Sequence, residues 1–114
     1  MAKAKLPKRF LQFTESYPAL ALAYEELGVQ CHGAGPLDDR ARALVKLALA
    51  IGARQEGGVH AQVRKALSAG LTPDELRHAA LLAIPTVGFP SAMAALSWIE
   101  DLLTPPPKRA RTKR

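Results

Sequence analysis

Apolar residues recur along the chain in blocks with helical spacing, and glycine and proline residues separate these blocks. The pattern predicts a short first helix that includes Phe10 and ends at the Tyr17-Pro18 step. Pro18 suits the first turn of a second helix, because the N–H that proline lacks would be unpaired there. This helix fades at or shortly after Gly28, and residues 33–36 form a clear break. No alternation typical of a half-buried strand occurs, which indicates an all-α fold.

A third and a fourth helix are predicted between Asp38 and Gly70. Asp38 or Asp39 can cap the third helix, which ends or bends at Gly52. Since this helix is apolar nearly all round, we expect it to be central in the protomer or buried by a partner subunit. The fourth helix stops at the Ala69-Gly70 step, a common C-terminal signal.

The last two helices begin at clear N-terminal signals. Thr72 can cap the fifth helix, and Glu75 can complete a capping box with it. Pro85 is expected to kink or end this helix. The sixth helix opens at Phe89-Pro90 and continues until three consecutive prolines close the fold.

These elements predict one domain over residues 10–103, between a basic N-terminal arm at residues 1–9 and a disordered, proline-rich basic tail at residues 104–114. A domain of this size buries little more than ~60% of its unfolded surface, so self-association would help to stabilise it. Hydrophobic residues make up 48% of the chain but aromatic residues only 5%, so alanine, leucine, valine and isoleucine form the core.

The net charge of +6 belongs to the two ends of the chain. Residues 1–9 hold four basic residues and residues 104–114 hold five. The central part combines all ten acidic residues with seven basic ones and carries a net charge of −3. Since a phosphate-binding face would lie on the folded body, specific nucleic-acid binding is not predicted. An apolar leader and a long apolar run are both lacking, so we expect a cytoplasmic protein without membrane contact.

Glu56, His60 and Arg64 are the main candidates for chemistry. In a helix they fall at i, i+4 and i+8 and lie along one face. A carboxylate, an imidazole and a guanidinium in a row can hold an acid, transfer a proton and orient the base that does so. The alternative is ordinary ion pairing on a helix surface, which contributes a few tenths of a kcal/mol.

No metal and no cofactor are expected. A metal site would need His32, His60 and His78 to converge with a carboxylate, and no H-x-x-x-H spacing supports that arrangement. His78 lies beside the apolar face of the fifth helix, which favours a structural role or a subunit contact. The single cysteine, Cys31, excludes an intrachain disulfide and is interpreted as a buried thiol.

Three motifs in order carry a family resemblance between Gly35 and Leu103. They are L-D-x-x-x-R-x-L in the third helix, H-x-x-x-R-x-A-L-x-x-G in the fourth, and T-x-x-E-L in the fifth, followed by an apolar last helix. This pattern resembles the carboxymuconolactone decarboxylase and alkylhydroperoxidase-D-like family. The resemblance implies a compact six-helix bundle of the alkylhydroperoxidase-D-like type that assembles as a homo-oligomer, with a hexamer favoured over a trimer.

The resemblance also separates two kinds of chemistry. The peroxidase branch of the family uses C-x-x-C followed four residues later by histidine. His60 occupies the place of that histidine, but Ala53 and Glu56 stand where the two cysteines would be, and a glutamate used on the preceding helix is replaced near Ala41. Without two thiols the chain cannot form the intramolecular disulfide of that mechanism. The decarboxylase branch, which also lacks the cysteine pair, is the better match.

The leading hypothesis is therefore acid–base chemistry of the decarboxylation type on a small carboxylate- or lactone-bearing molecule. His60 would move the proton, Glu56 would orient His60, and Arg64 would bind a substrate carboxylate. Two alternatives remain open. One is a peroxidase or redox activity that uses Cys31 alone, with an external thiol to resolve it. The other is a non-catalytic helical scaffold whose basic tails bind a polyanion.

Overall fold

The structure, a computed structural model, describes residues 6–104, and these residues form six α-helices and no strand. The helices are α1 (Lys8–Ser16), α2 (Pro18–His32), α3 (Asp39–Gly52), α4 (Glu56–Ser68), α5 (Pro73–Val87) and α6 (Phe89–Leu103). The all-α prediction is confirmed. Among the described helices, none combines the length and the apolar content needed to cross a bilayer.

The basic ends are largely outside the described part of the chain. Residues 1–5 of the predicted arm and residues 105–114 of the predicted tail belong to the undescribed segments. The last two residues assigned to the arm, Lys8 and Arg9, form the start of α1.

Chain contacts divide the protein into two units, one ending at Pro36 and the other beginning at Leu37. The first unit contains α1 and α2, whose Phe13 and Tyr17 rings lie 5.7 Å apart between centroids. No residue of either helix is buried, and the apolar side chains of Leu22 and Leu27 are more than half exposed.

The second unit contains α3 to α6 and holds the buried core. Its fully buried large side chains come from all four helices: Leu47, Val59, Val63, Leu76 and Ile99. Each such side chain stabilises the fold by about 1.5–3 kcal/mol through removal of apolar surface from water. Buried alanines at Ala66, Ala80, Ala92 and Ala95 let the helices pack closely.

The sequence signals for the helix starts of α3 and α5 are confirmed. The Asp38 carboxylate accepts a hydrogen bond of 2.9 Å from the Ala41 N–H. Thr72 and Glu75 form the full capping box, with distances of 3.1 and 2.8 Å. The Thr72 backbone N–H, followed by Arg40, lowers the pKa of the Glu75 carboxyl.

Pro85 does not end α5, which continues to Val87. Proline cannot donate to the carbonyl four residues earlier, but the helix recovers around it. The Gly88 N–H donates to the Ala83 carbonyl at 3.2 Å and closes the helix. Gly88 itself has a φ of 111°, a conformation that favours glycine, and it turns the chain into α6.

One face of α3 is central in the protomer, as predicted, and the opposite face is not covered. Leu47 and Ile51 are buried, whereas Val45 and Leu49 are exposed to 45% and 67%. Apolar residues all round a helix are typical of burial on both sides. The described residues of a single chain therefore leave one apolar face of α3 open to solvent.

The turn between α3 and α4 sets where α4 begins. Arg54 has a φ of 56°, which is unusual for a residue with a side chain. Its guanidinium donates a 2.5 Å hydrogen bond to the hydroxyl of Ser91, a buried residue in the first turn of α6. At Gly58 an added Cβ would come within 3.2 Å of the Gln55 side chain, which is a tight contact. The Arg54–Ser91 hydrogen bond joins the turn before α4 to the first turn of α6.

Candidate active site

Helix α4 has an apolar buried side and a polar flank beside it. Val59 and Val63 are completely buried, and they point into the core of the second unit. Glu56 and His60 are one turn apart on the adjoining flank, as their i and i+4 spacing requires. Glu56 is also the first residue of the helix, where a carboxylate interacts favourably with the exposed N–H groups.

Two consecutive acidic residues of α6 contact two different neighbouring helices. Ile99 is fully buried and anchors the helix in the core. Successive side chains of a helix diverge by about 100°, so the two carboxylates that follow cannot serve the same neighbour. Glu100 pairs with Arg77 of α5, and Asp101 pairs with His60 of α4.

The contact between α4 and α6 brings three ionisable side chains together. The Nε2 atom of His60 lies 2.9 Å from Oδ2 of Asp101, and the two side chains are 25% and 50% exposed. One carboxylate oxygen of Glu56 lies within 4.8 Å of a ring nitrogen of His60 and of a carboxylate oxygen of Asp101. We call Glu56, His60 and Asp101 the α4–α6 triad.

The triad is suited to proton transfer. With a proton on Nε2, the His60 ring donates to Asp101, which fixes the ring orientation and leaves Nδ1 free to exchange a proton. This is the relation between base and orienting carboxylate that recurs in acid–base enzymes. Since His60 is partly exposed, a small molecule can reach the ring from solvent.

The other flank of α6 has a different chemistry. Arg77 donates to both oxygens of Glu100, at 2.6 and 3.2 Å, and also to Asp74 at 3.2 Å. The Thr104 hydroxyl donates to Glu100 at 3.0 Å. Arg77, followed by Thr104, lowers the pKa of the Glu100 carboxyl, and Glu100 raises the pKa of Arg77. Each group in this cluster has a hydrogen-bond partner within it, so the cluster stabilises the structure and leaves no base available.

Comparison with known families assigns the chain. The sequence profile of the Carboxymuconolactone decarboxylase family matches residues 18–101, which is well over half of the protein. The chain belongs to that family. No curated protein and no solved structure gives a significant match. The matched segment begins with α2 and ends at Asp101, so it includes all three members of the α4–α6 triad.

For this carboxymuconolactone decarboxylase family protein, the sequence predicted two members of the triad and missed the third. Asp101 lies 41 residues after His60 in the sequence. Helical spacing cannot predict whether two residues that far apart come into contact. A weak signal was present, because two acidic residues directly follow Ile99 in an otherwise apolar helix. Successive helical residues diverge by about 100°, so the two carboxylates lie on different flanks of α6, but the sequence does not say which helix each would meet.

The remaining predicted residues lie elsewhere. Arg64 is half-buried, one turn beyond His60 on α4, and it has no hydrogen bond or ion pair among the described residues. Cys31 is exposed on α2, so its interpretation as a buried thiol is wrong. His78 is exposed on α5, and His32 is the last residue of α2. The three histidines are on three different helices.

The family protein also has an open apolar cleft of about 160 Å³ between α3 and α5. Its lining includes Ile51, Leu82 and Val87, and no member of the α4–α6 triad belongs to it. The cleft and the triad are thus lined by separate residues of the second unit.

Proposed function

We propose that this member of the carboxymuconolactone decarboxylase family is a lyase that decarboxylates a small carboxylate- or lactone-bearing molecule by acid–base catalysis at His60. The observation that carries the proposal is the 2.9 Å contact between His60 and Asp101. A carboxylate held against one ring nitrogen orients the imidazole and leaves the other nitrogen to exchange a proton with a substrate. Membership of a family that includes decarboxylases supports the proposed reaction class.

The reaction requires one proton and produces carbon dioxide. The bond between the carboxylate carbon and its neighbour breaks, and the electron pair is delocalised from the neighbouring carbon into a conjugated carbonyl, which gives an enolate. Protonated His60 then delivers its proton to a carbon of that enolate, and solvent restores the proton to the ring. A positioned acid of this kind contributes about 10²–10⁴-fold to a rate.

The triad also suggests roles for its neighbours. Asp101 is the positioning residue for His60, a role that the sequence had assigned to Glu56. Glu56 brings a second carboxylate to within 4.8 Å of the other two groups. Arg64 lies one turn further along α4 without a partner among the described residues, and it is proposed to bind a substrate carboxylate that is not lost.

Thiol peroxidase chemistry has less support. The whole chain contains one cysteine, so it cannot form the intramolecular disulfide that C-x-x-C proteins use. Cys31 is exposed on α2 in the first unit, and Glu56, His60 and Asp101 all belong to the second.

The test is turnover of 4-carboxymuconolactone, followed as loss of its ultraviolet absorbance and release of carbon dioxide. We expect turnover by the unaltered protein, and loss of at least about 10²-fold in the His60→Ala variant with an unchanged circular dichroism spectrum. His78→Ala is the matched control, because it removes an exposed histidine on another helix. An active His60→Ala variant would contradict the proposal.

We further propose that the protein works as a homo-oligomer, with a hexamer favoured over a trimer. Helices α1 and α2 contain no buried residue, and helices of this length gain most of their stability from packing of an apolar face. The exposed face of α3 is apolar as well. Light scattering coupled to size exclusion is expected to give six chains per particle. Leu22→Glu should reduce that number, whereas Gln30→Glu on the same helix should leave it unchanged.

A further inference from the structure

The α4–α6 triad has an excess of negative charge. Glu56 and Asp101 bring one carboxylate each to within 4.8 Å of the same His60 nitrogen and of each other. Protonated His60 can balance only one of these charges. Among residues 6–104, no lysine or arginine forms a salt bridge with either carboxylate. Two carboxylates this close repel each other, and a cation between them would stabilise the arrangement.

We propose that Glu56, His60 and Asp101 together bind a divalent transition-metal ion, with Zn²⁺ as the representative. One imidazole and two carboxylates form a donor set that suits ions of this type better than Mg²⁺ or Ca²⁺, which prefer oxygen alone. Three protein ligands leave one position for water or another small ligand, as in zinc sites that react with substrates.

The distances in the triad are close to those of such a site. Zinc lies ~2.0–2.2 Å from nitrogen and oxygen donors, so two donors on one tetrahedral ion are ~3.4 Å apart. The His60 and Asp101 donors are 2.9 Å apart, and none of the three donor pairs exceeds 4.8 Å. Glu56 is exposed and Asp101 is half exposed, so side-chain rotation alone can close the remaining gap of about 1–1.5 Å.

The two helices that carry the three candidate ligands are already held in place by the core. Val59 and Val63 on α4 and Ile99 on α6 are fully buried, so the two helices that supply the ligands are fixed by the core. Ligands on rigid helices lose little conformational freedom when the ion binds. The sequence predicted no metal site because its three histidines were not expected to converge. In the structure the candidate ligands are one histidine and two carboxylates.

This inference goes beyond the proposed lyase activity and does not rest on it, because metal binding is measured without substrate. The two ideas describe the metal-bound and the metal-free site, because an ion bound by His60 and Asp101 would displace the proton that the lyase reaction uses. Turnover is therefore measured on the metal-stripped protein, and the two ideas can fail separately. Zinc binding without turnover by the metal-stripped protein would leave the metal site in place and remove the lyase. Turnover without zinc binding would do the reverse.

The experiment titrates Zn²⁺ into the metal-stripped full-length protein and measures binding by calorimetry, together with the midpoint of thermal unfolding. We expect one zinc ion per chain and a rise in the midpoint, because an ion that binds only the folded state stabilises it. Asp101→Asn and Glu56→Gln should each weaken binding by at least about tenfold, since each removes an anionic ligand.

Three control variants separate the triad from other donors. Glu100→Gln removes a carboxylate that is next to Asp101 in the sequence. Glu100 pairs with Arg77 and does not belong to the triad. Cys31→Ser and His78→Ala remove an exposed thiol and an exposed imidazole. All three should retain the zinc affinity of the unaltered protein. Absence of zinc binding, or equal affinity in Asp101→Asn and the unaltered protein, would overturn the proposal.

Co²⁺ provides a second readout that does not depend on stability. A site with nitrogen and oxygen donors is expected to give weak visible bands, without the near-ultraviolet absorption of a cobalt–thiolate bond. These bands should disappear in the Asp101→Asn variant. A thiolate band that is lost in Cys31→Ser would assign the ion to the first unit and contradict the proposal.

Discussion

The two flanks of α6 contain similar residues and behave differently. On one flank Glu100 meets Arg77, which also holds Asp74, and the Thr104 hydroxyl completes the cluster. On the other flank Asp101 meets His60, with a second carboxylate nearby and no lysine or arginine paired with either carboxylate among the described residues. The groups of the first flank hydrogen-bond to one another, and the second flank is left with spare donors and acceptors.

This difference shows how one helix can carry both support and chemistry. Arginine remains protonated in proteins, so its pair with Glu100 has a single state. Imidazole exists in several protonation states and tautomers, so the pair with Asp101 has more than one state. The part of the molecule that reacts is therefore expected on the flank that is less completely satisfied, one residue away from the flank that is stable.

The largest effect is expected on stability, from truncation of the buried Ile99 side chain that anchors both flanks of α6. Ile99→Ala leaves a cavity at a fully buried position next to both carboxylates, and it should lower the free energy of unfolding by about 2–5 kcal/mol. Urea denaturation followed by circular dichroism measures this change. The exposed Leu81→Ala on α5 is the control and should change the free energy much less.

The next effect separates the flanks by activity. Asp101→Asn keeps the shape of the side chain but removes the charge that orients His60, so turnover should fall by about tenfold to a hundredfold. The pH dependence of kcat should shift as well, which a purely structural residue would not cause. Glu100→Gln should leave both quantities close to those of the unaltered protein, and a similar loss in the two variants would remove the distinction between the flanks.

The reverse pattern is expected for stability. Arg77→Met removes three hydrogen bonds to two carboxylates, whereas Asp101→Asn removes one charged contact. The midpoint of thermal unfolding at neutral pH should therefore fall further in Arg77→Met. If Asp101→Asn lowered the midpoint as much as Arg77→Met does, the His60–Asp101 contact would contribute as much to stability as the Arg77 contacts.

The smallest effect concerns acid stability. The pKa of Glu100 in the folded protein is below its ordinary value of 4.5, mainly because of Arg77. The contribution of this carboxylate to stability is therefore complete above pH 4.5 and is lost as the pH falls through the lowered pKa. Glu100→Gln should reduce the drop in the unfolding midpoint between neutral pH and that acidic range. An equally steep drop in the variant would show that other carboxylates dominate.

Local signals in the sequence predicted the helices well. The Asp38 cap, the Thr72 capping box and the ends at Tyr17 and Gly52 were each set by residues within one helical turn, and each was confirmed. Pro85 shows the limit of this reasoning, because α5 continues to Val87 past a residue that often ends a helix.

The candidate site was harder to predict from the sequence than the helices were, for a physical reason. Glu56 and His60 share a helix, so their proximity follows from helical geometry. Their contact with Asp101 depends on how α4 and α6 pack, which is set by buried residues such as Val63 and Ile99. A single sequence contains the spacing within a helix but not the choice of partner helix.

The order Ile99, Glu100, Asp101 also has a consequence for how this protein can change over evolutionary time. Loss of one residue within α6 would move Glu100 to the buried position of Ile99, Asp101 to the place beside Arg77, and Leu102 to the place beside His60. The salt bridge would survive with a shorter acid, but the core would receive a carboxylate and His60 would lose its partner. Insertions and deletions are therefore expected to be confined to the turns before Phe89 and after Leu103, while substitutions accumulate within the helix.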